Sequence, residues 1–170
     1  MELKFRDLRS DEIDVRISQI IENKGLTLLL YKDARVDQDI LDETVGALNW
    51  QRKHTRDNAN CIVEIWDEKK QQWIAKEDTG TESFTEKEKG LASDSFKRAC
   101  FNWGIGRELY TAPFIWIPAD KCNIEKNQQG KLTCKDKFIV NAIEISNKVI
   151  TGLSIKNLNR KEVVYSAKRT

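Results

Sequence analysis

Apolar positions along this chain change their period twice. Isoleucines fall at 13, 17, 20 and 21, the i, i+4, i+7, i+8 spacing of a single helical face. Ser10 followed by Asp11 and Glu12 supplies an N-cap with first-turn acids, and Lys24-Gly25 supplies a stop, so the spacing predicts a first helix here. Leu26 to Tyr31 is a short, continuously apolar run, the mark of a buried strand or an extended core segment. Asp33 is placed to cap a second helix whose buried side is Val36, Ile40, Leu41 and Val45, with Gly46 closing it.

From Asn49 the period falls to two. Trp50, Arg52, His54 and Arg56 share one face of a first strand, and Gln51, Lys53 and Thr55 share the other. Cys61, Val63 and Ile65 mark a second strand, the polar connector Asp67 to Gln72 a hairpin loop, and Trp73 to Asp78 a third strand that runs into a turn around Gly80. A long helix is then expected over roughly residues 85–103. Leu91, Ser95, Phe96, Ala99, Cys100 and Trp103 occupy its packing half; Asp94, Lys97, Arg98 and Phe101 occupy the opposite half. Trp103-Gly104-Ile105-Gly106 closes it, because glycine takes the left-handed conformation that ends helices. Arg107 and Tyr110 follow from that fixed corner. The segment 111–119 is apolar and extended around Pro113 and Pro118, and 121–137 is a polar, basic loop or long hairpin around Gly130. Phe138–Ile145, Val149–Ile155 and Val163–Tyr165 read as a terminal meander. The expected fold class is therefore α+β: a β-β-β-α core with two N-terminal helices and a C-terminal β-meander. Residues 1–119 are expected to form the core and 120–170 a β-rich extension of the same domain, with 111–137 as the best place for a seam.

Charge narrows the partners only locally. Of 170 residues, 29 are basic and 27 acidic, a net charge of +2, so any polyanion site must be a local patch. Residues 33–43 are acidic apart from Arg35, and residues 156–170 are basic apart from Glu162. Such patches suit head-to-tail contact between copies, although charge alone favours two solvated faces. The four cysteines, at 61, 100, 122 and 134, have no Cys-x-x-Cys spacing, and Cys61 and Cys100 sit among packing positions. No signal peptide, membrane-spanning run or lipidation motif is visible, which predicts a cytoplasmic protein with reduced thiols.

Catalytic chemistry is hard to place. His54 is the single histidine and no metal-ligand spacing accompanies it. No nucleophile elbow, phosphate-cradling glycine loop or dinucleotide fingerprint occurs. Glu68-x-Lys70 with Asp57 upstream superficially suits a metal-dependent nuclease. The order α-β-β-β-α with cations on the last helix also suits a double-stranded RNA-binding module. The outer half of that helix carries a third possibility. Lys97 and Phe101 stand one turn apart, where cation and ring together meet a phosphate and an unstacked base. Read alone, the same half is an ordinary solvated helix face.

The flanking segments favour the third possibility. Tyr31-Lys-Asp-Ala-Arg35 with Leu41-Asp-Glu-Thr-Val-Gly46 and Asn49-Trp-Gln51, then Lys76-Glu-Asp-Thr-Gly80, then Ser93-Asp-Ser-Phe-Lys-Arg-Ala99 with Gly104-Ile-Gly-Arg-Glu-Leu-Tyr110 resemble the Rad-fifty-two-type single-strand annealing proteins, and their phage (Sak-like) branch most of all. The resemblance covers residues 12–117. It implies a non-enzymatic protein of phage or prophage origin that binds and anneals single-stranded DNA in homologous recombination or repair. It also implies side-by-side assembly into oligomeric rings, no cofactor, no metal, and a phage exonuclease or single-strand-binding protein as companion. The family's groove cations match Arg35, Lys97 and Arg98. A further groove arginine of its eukaryotic members aligns with Phe101, a departure that stacking by Phe101 or a phosphate contact by Arg107 would offset. Arg52, Lys53 and Arg56 are expected near a groove bordering the sheet, and Lys87 and Lys89 lie nearest the family's second DNA site.

Overall fold

The computed structural model describes residues 2–82 and 87–170, without the side chains of 87–89. The chain forms two compact units, one built from the first seven residues and Asp33–Arg107, the other from Leu8–Lys32 and Glu108–Thr170. Strands β1 (Asp14–Ile21) and β2 (Gly25–Tyr31) belong to the second unit. Helix α1 (Ala34–Val45), strands β3 (Trp50–Thr55), β4 (Asn60–Asp67) and β5 (Gln72–Thr79), and helix α2 (Lys87–Trp103) make up the first. The second unit continues through β6 (Ile115–Pro118), β7 (Ile124–Lys126), β8 (Leu132–Cys134), β9 (Phe138–Ser146), β10 (Val149–Asn157) and β11 (Glu162–Lys168). The described residues thus form a mixed α+β protein with two α-helices and mostly strands.

One of the two predicted N-terminal helices is a strand. Ser10–Glu12 makes a single 3-10 turn, and β1 follows it. The cause is a register shift between Ile17 and Gln19 in the β1–β2 ladder. Val15 and Ile17 are sheltered in alternation, and after the shift the next sheltered residue is Ile20. A three-residue step inside an alternating strand therefore imitated a helical turn. Branched Val15, Ile17, Ile20 and Ile21 suit the extended backbone better than the helical one.

In the first unit the second predicted helix is α1. Asp33 caps it by accepting the Arg35 backbone N–H at 2.8 Å, and Gly46, at φ +90°, closes it. Its buried positions are Asp37, Ile40 and Leu41. Strands β3, β4 and β5 form an antiparallel sheet in that order. Register sets Trp50 beside Ile65, Arg52 beside Val63 and His54 beside Cys61, with Ile74, Lys76 and Asp78 continuing the same face on β5. Helix α2 packs on this face through Ser95, Phe96, Ala99 and Cys100, all fully buried. Trp50 stacks on Phe96 with ring centroids 6.1 Å apart, and the Trp103 indole N–H donates to the Val63 carbonyl at 3.0 Å. Where β5 ends, a methyl on Gly80 would stand 2.5 Å from the Ser95 backbone nitrogen, so the approach of α2 requires glycine there. Residues 85 and 86 of the predicted helix lie outside the described residues.

In the second unit β1, β2 and β6 form one antiparallel sheet, with β2 central, and β9, β10 and β11 form the predicted meander, with β10 central. Strands β7 and β8 make a hairpin between them, with Gly130 at φ +77° in its turn. Leu26, Leu28, Ile115, Ile117, Phe138, Ile150, Leu153 and Ile155 are buried within this unit. No helix is long and apolar enough to cross a membrane among the described residues.

Candidate nucleic-acid interface

Helix α2 divides as its periodicity demands. Its packing half is the buried face above; Asp94, Lys97, Arg98 and Phe101 are all half-buried on the other. The carboxylate of Asp94 is a junction. Its Oδ2 accepts the Thr81 backbone N–H at 2.7 Å and the Arg98 Nε at 3.2 Å. Asp94 therefore ties the segment after β5 to the helix and aims the Arg98 guanidinium one turn further on, with 40 % of that side chain still exposed. Lys97 stands one helical turn before Phe101 on the same side.

The end of α2 concentrates cations. Gly104, at φ +103°, sends its N–H to the Phe101 carbonyl at 3.0 Å, and Ile105 sends its N–H to the Cys100 carbonyl at 3.1 Å. This is the paired-bond closure in which a left-handed glycine satisfies the last carbonyls and the next residue is buried, as Ile105 is. Gly106, at φ +74°, turns the chain back, so that Arg107 Nε meets the Phe101 carbonyl at 2.8 Å and Nη2 the Asn102 carbonyl at 2.9 Å. The same guanidinium lies over the Phe101 ring, 5.5 Å from its centroid. Lys76, from β5, also donates to the Asn102 carbonyl, at 3.1 Å, and sits 5.0 Å from the Trp103 ring centroid. Two full positive charges thus meet a helix terminus worth roughly half a negative charge. Asp78, 3.2 Å from the Asn102 side-chain nitrogen, offsets part of that excess.

Other predicted contact residues are dispersed. Arg35 is exposed in the first turn of α1, a helix that packs on α2 and β3. Arg52 lies on the helix-covered face with its guanidinium 4.6 Å from the centre of the buried Phe96 ring. Lys53 points to the opposite face and pairs with Glu64 at 3.1 Å. Glu64 is held below its usual range first by a hydrogen bond from Gln51 and then by Lys53. Arg56 occupies the β3–β4 turn at φ +52°. The structure therefore brings together Lys97, Arg98, Phe101 and Arg107 on α2 and its terminus, adds Lys76, and sends Arg52, Lys53 and Arg56 to three different places. Lys76 was missed by sequence reasoning: its parity with Ile74 and Asp78 assigns it a strand face, and only the packing of α2 shows that this face is covered. The side chains of Lys87 and Lys89 lie outside the described set.

On the packing side of α2, His54 Nδ1 stands 3.4 Å from the Ser95 hydroxyl, and its Nε2 is buried without a hydrogen-bond partner among the described residues. Burial, and secondarily the Arg52 charge, hold its pKa below the usual histidine value. Burial pushes the Cys61 thiol up to about 11, which keeps it protonated and inert. Asp57 and Glu68 stand in the turns at opposite ends of β4. Eight extended residues separate such ends by about 26 Å, so these carboxylates do not share a metal ion. No group of three metal-ligating side chains occurs among the described residues. No family model, curated protein or solved structure matches this chain.

Proposed function

We infer that this chain is a non-enzymatic protein that binds single-stranded DNA and promotes the pairing of complementary strands. The observation that carries the reading is the outer half of α2, where Lys97, Arg98 and the Arg107–Phe101 pair present cations and an aromatic ring along one helix face. Cations beside a ring suit an unpaired strand, whose phosphates need neutralising and whose bases offer π-faces. Annealing breaks and forms no covalent bond; it needs lowered repulsion between two polyanions and bases left open to test a partner. Arg35, Lys97 and Arg98 hold phosphates in this reading, Phe101 and Arg107 contact the strand, and Lys76 adds charge at the helix end. Arg52, Lys53 and Arg56 play smaller parts because they are scattered. Assembly of copies into rings, a role in recombination or repair, and cooperation with a phage exonuclease or single-strand-binding protein extend this reading through the family resemblance.

The test is fluorescence anisotropy of a labelled oligothymidylate across a salt series, with strand pairing followed by quenching of two complementary labelled strands. Replacing Lys97 and Arg98 together with alanine lowers affinity and reduces the slope of log affinity against log salt by roughly 1.4, about 0.7 for each lost phosphate contact. A folded double variant with unchanged affinity and slope removes α2 from the interface.

A second reading has one specific observation in its favour. The first unit runs α1-β3-β4-β5-α2 with α2 on one sheet face and α1 touching both α2 and β3, the element order of modules that grip double-stranded RNA by shape. Competition decides: duplex RNA displacing the labelled single strand at lower concentration than unlabelled single strand supports the RNA reading.

A further inference from the structure

The two most exposed large aromatic rings among the described residues stand four positions apart: Tyr110 is 70 % exposed and Phe114 76 %. Both lie in the second unit, whereas α2 belongs to the first. The backbone that carries them is pinned. Arg169 Nη2 donates to the Thr111 carbonyl at 2.8 Å, and the Tyr165 hydroxyl donates to the Phe114 carbonyl at 3.3 Å. The Thr111 hydroxyl bonds the Glu108 carbonyl at 2.6 Å and accepts the Ile150 N–H at 2.8 Å. Rings held out on a fixed backbone lose little freedom when something stacks on them.

Charge beside the rings is positive. The Arg169 backbone N–H is fixed to the Thr151 carbonyl at 2.8 Å, which keeps its guanidinium next to residue 111. Nearby Lys168 pairs with Glu144 at 3.8 Å, and Lys148 with the buried Glu108 at 3.6 Å. Arg169, by contrast, meets a carbonyl oxygen and, among the described residues, no carboxylate, and that bond uses one of its five N–H donors. Four residues of chain reach at most about 14 Å, so both rings fall within a few bases of one strand.

We propose that Tyr110, Phe114 and Arg169 form a second contact for single-stranded nucleic acid, with the two rings stacking on bases and the guanidinium meeting a phosphate. A strand, and not a duplex, is the occupant because stacking on protruding rings requires bases that are already unpaired. This contact goes beyond the α2 surface and stands on separate residues.

The experiment uses the full chain and an oligonucleotide bearing photoreactive bromodeoxyuridine. After irradiation and trypsin digestion, the cross-link is expected in the peptide Glu108–Lys121, which carries both rings. Tyr110→Leu and Phe114→Leu keep apolar area and remove the ring; each is expected to weaken binding by roughly five- to 150-fold. Arg169→Ala is expected to lower the salt slope by about 0.7. Cross-links confined to other peptides, together with unchanged affinity in correctly folded leucine variants, overturn the proposal while leaving the α2 reading intact. Loss of self-association in a leucine variant, with nucleic-acid affinity unchanged, overturns it in favour of a contact between copies. A chain that binds no single strand at all overturns both readings.

Discussion

Replacing Arg107 with alanine separates what the guanidinium does for the helix from what it does for a ligand. The substitution removes two bonds to the closing carbonyls of α2, at 2.8 and 2.9 Å, and the contact over the Phe101 ring. A cation at a helix C-terminus contributes about 0.3–1 kcal/mol when exposed, and an exposed cation–ring contact about 0.5–1 kcal/mol. The hydrogen bonds overlap with the first of these, and Arg107 is exposed, so solvent screening keeps the total at about 1–2 kcal/mol. With a urea slope of about 2 kcal/mol per molar, the midpoint falls by roughly 0.5–1 M. Tryptophan fluorescence is the right probe, because Trp50, Trp66, Trp73 and Trp103 all lie in the unit that contains α2. Arg107→Lys keeps the charge but loses the planar fork that spans two carbonyls, so it recovers about half of the lost stability. Single-strand affinity then reads the proposed second role: lysine preserves a simple phosphate contact and alanine does not. An unshifted midpoint in Arg107→Ala, with the slope unchanged, would refute the capping role and the placement of the guanidinium that depends on it.

Two further outcomes test the scaffold. Gly80→Ala drives a methyl to 2.5 Å from the Ser95 nitrogen and 2.9 Å from its Cα; backbone atoms on a packed helix do not step aside, and a loss of about 2–3 kcal/mol is expected in thermal melts, where an unchanged melting temperature would show that α2 does not press on that turn. His54 has a folded pKa depressed below 6.5 by burial and by Arg52, so between that lower value and 6.5 the unfolded chain binds the proton better. Its stabilising contribution is complete above pH 6.5 and is lost as pH falls through the folded value; His54→Gln flattens stability over that window, and equal slopes in variant and parent would dismiss the effect.

Much of the scaffold was legible because it rests on local rules. The Asp33 cap, the Gly46 stop, the alternation at Cys61, Val63 and Ile65, and the two halves of α2 each follow from a period or a turn residue. The failure at β1 has the same origin: a bulge inside an alternating strand spaces isoleucines as a helix does. The cations resisted reading for another reason. Alternation correctly put Arg52 and Lys53 on opposite faces, yet it does not say which face a helix will cover. Arg52 went under α2 onto Phe96. Lys76 sits on the same covered face, and its capping role exists only because β5 and the end of α2 meet there.

The corner at Gly104–Arg107 joins stability to the proposed function. A left-handed glycine ends the helix, a second positive-φ glycine reverses the chain, and the arginine lands back on the carbonyls of the turn it has just left. That return places a guanidinium over Phe101, the one ring on the cationic half of the helix. A guanidinium beside the ring adds charge where a base can stack, so the cap that closes α2 also builds the proposed contact. It follows that Phe101→Leu weakens single-strand binding while leaving the Arg107 cap in place, because the carbonyl bonds are to backbone and not to the ring. A Phe101→Leu variant that binds the strand as the parent does would show that the ring serves only packing, and the cations alone would then have to carry the interface.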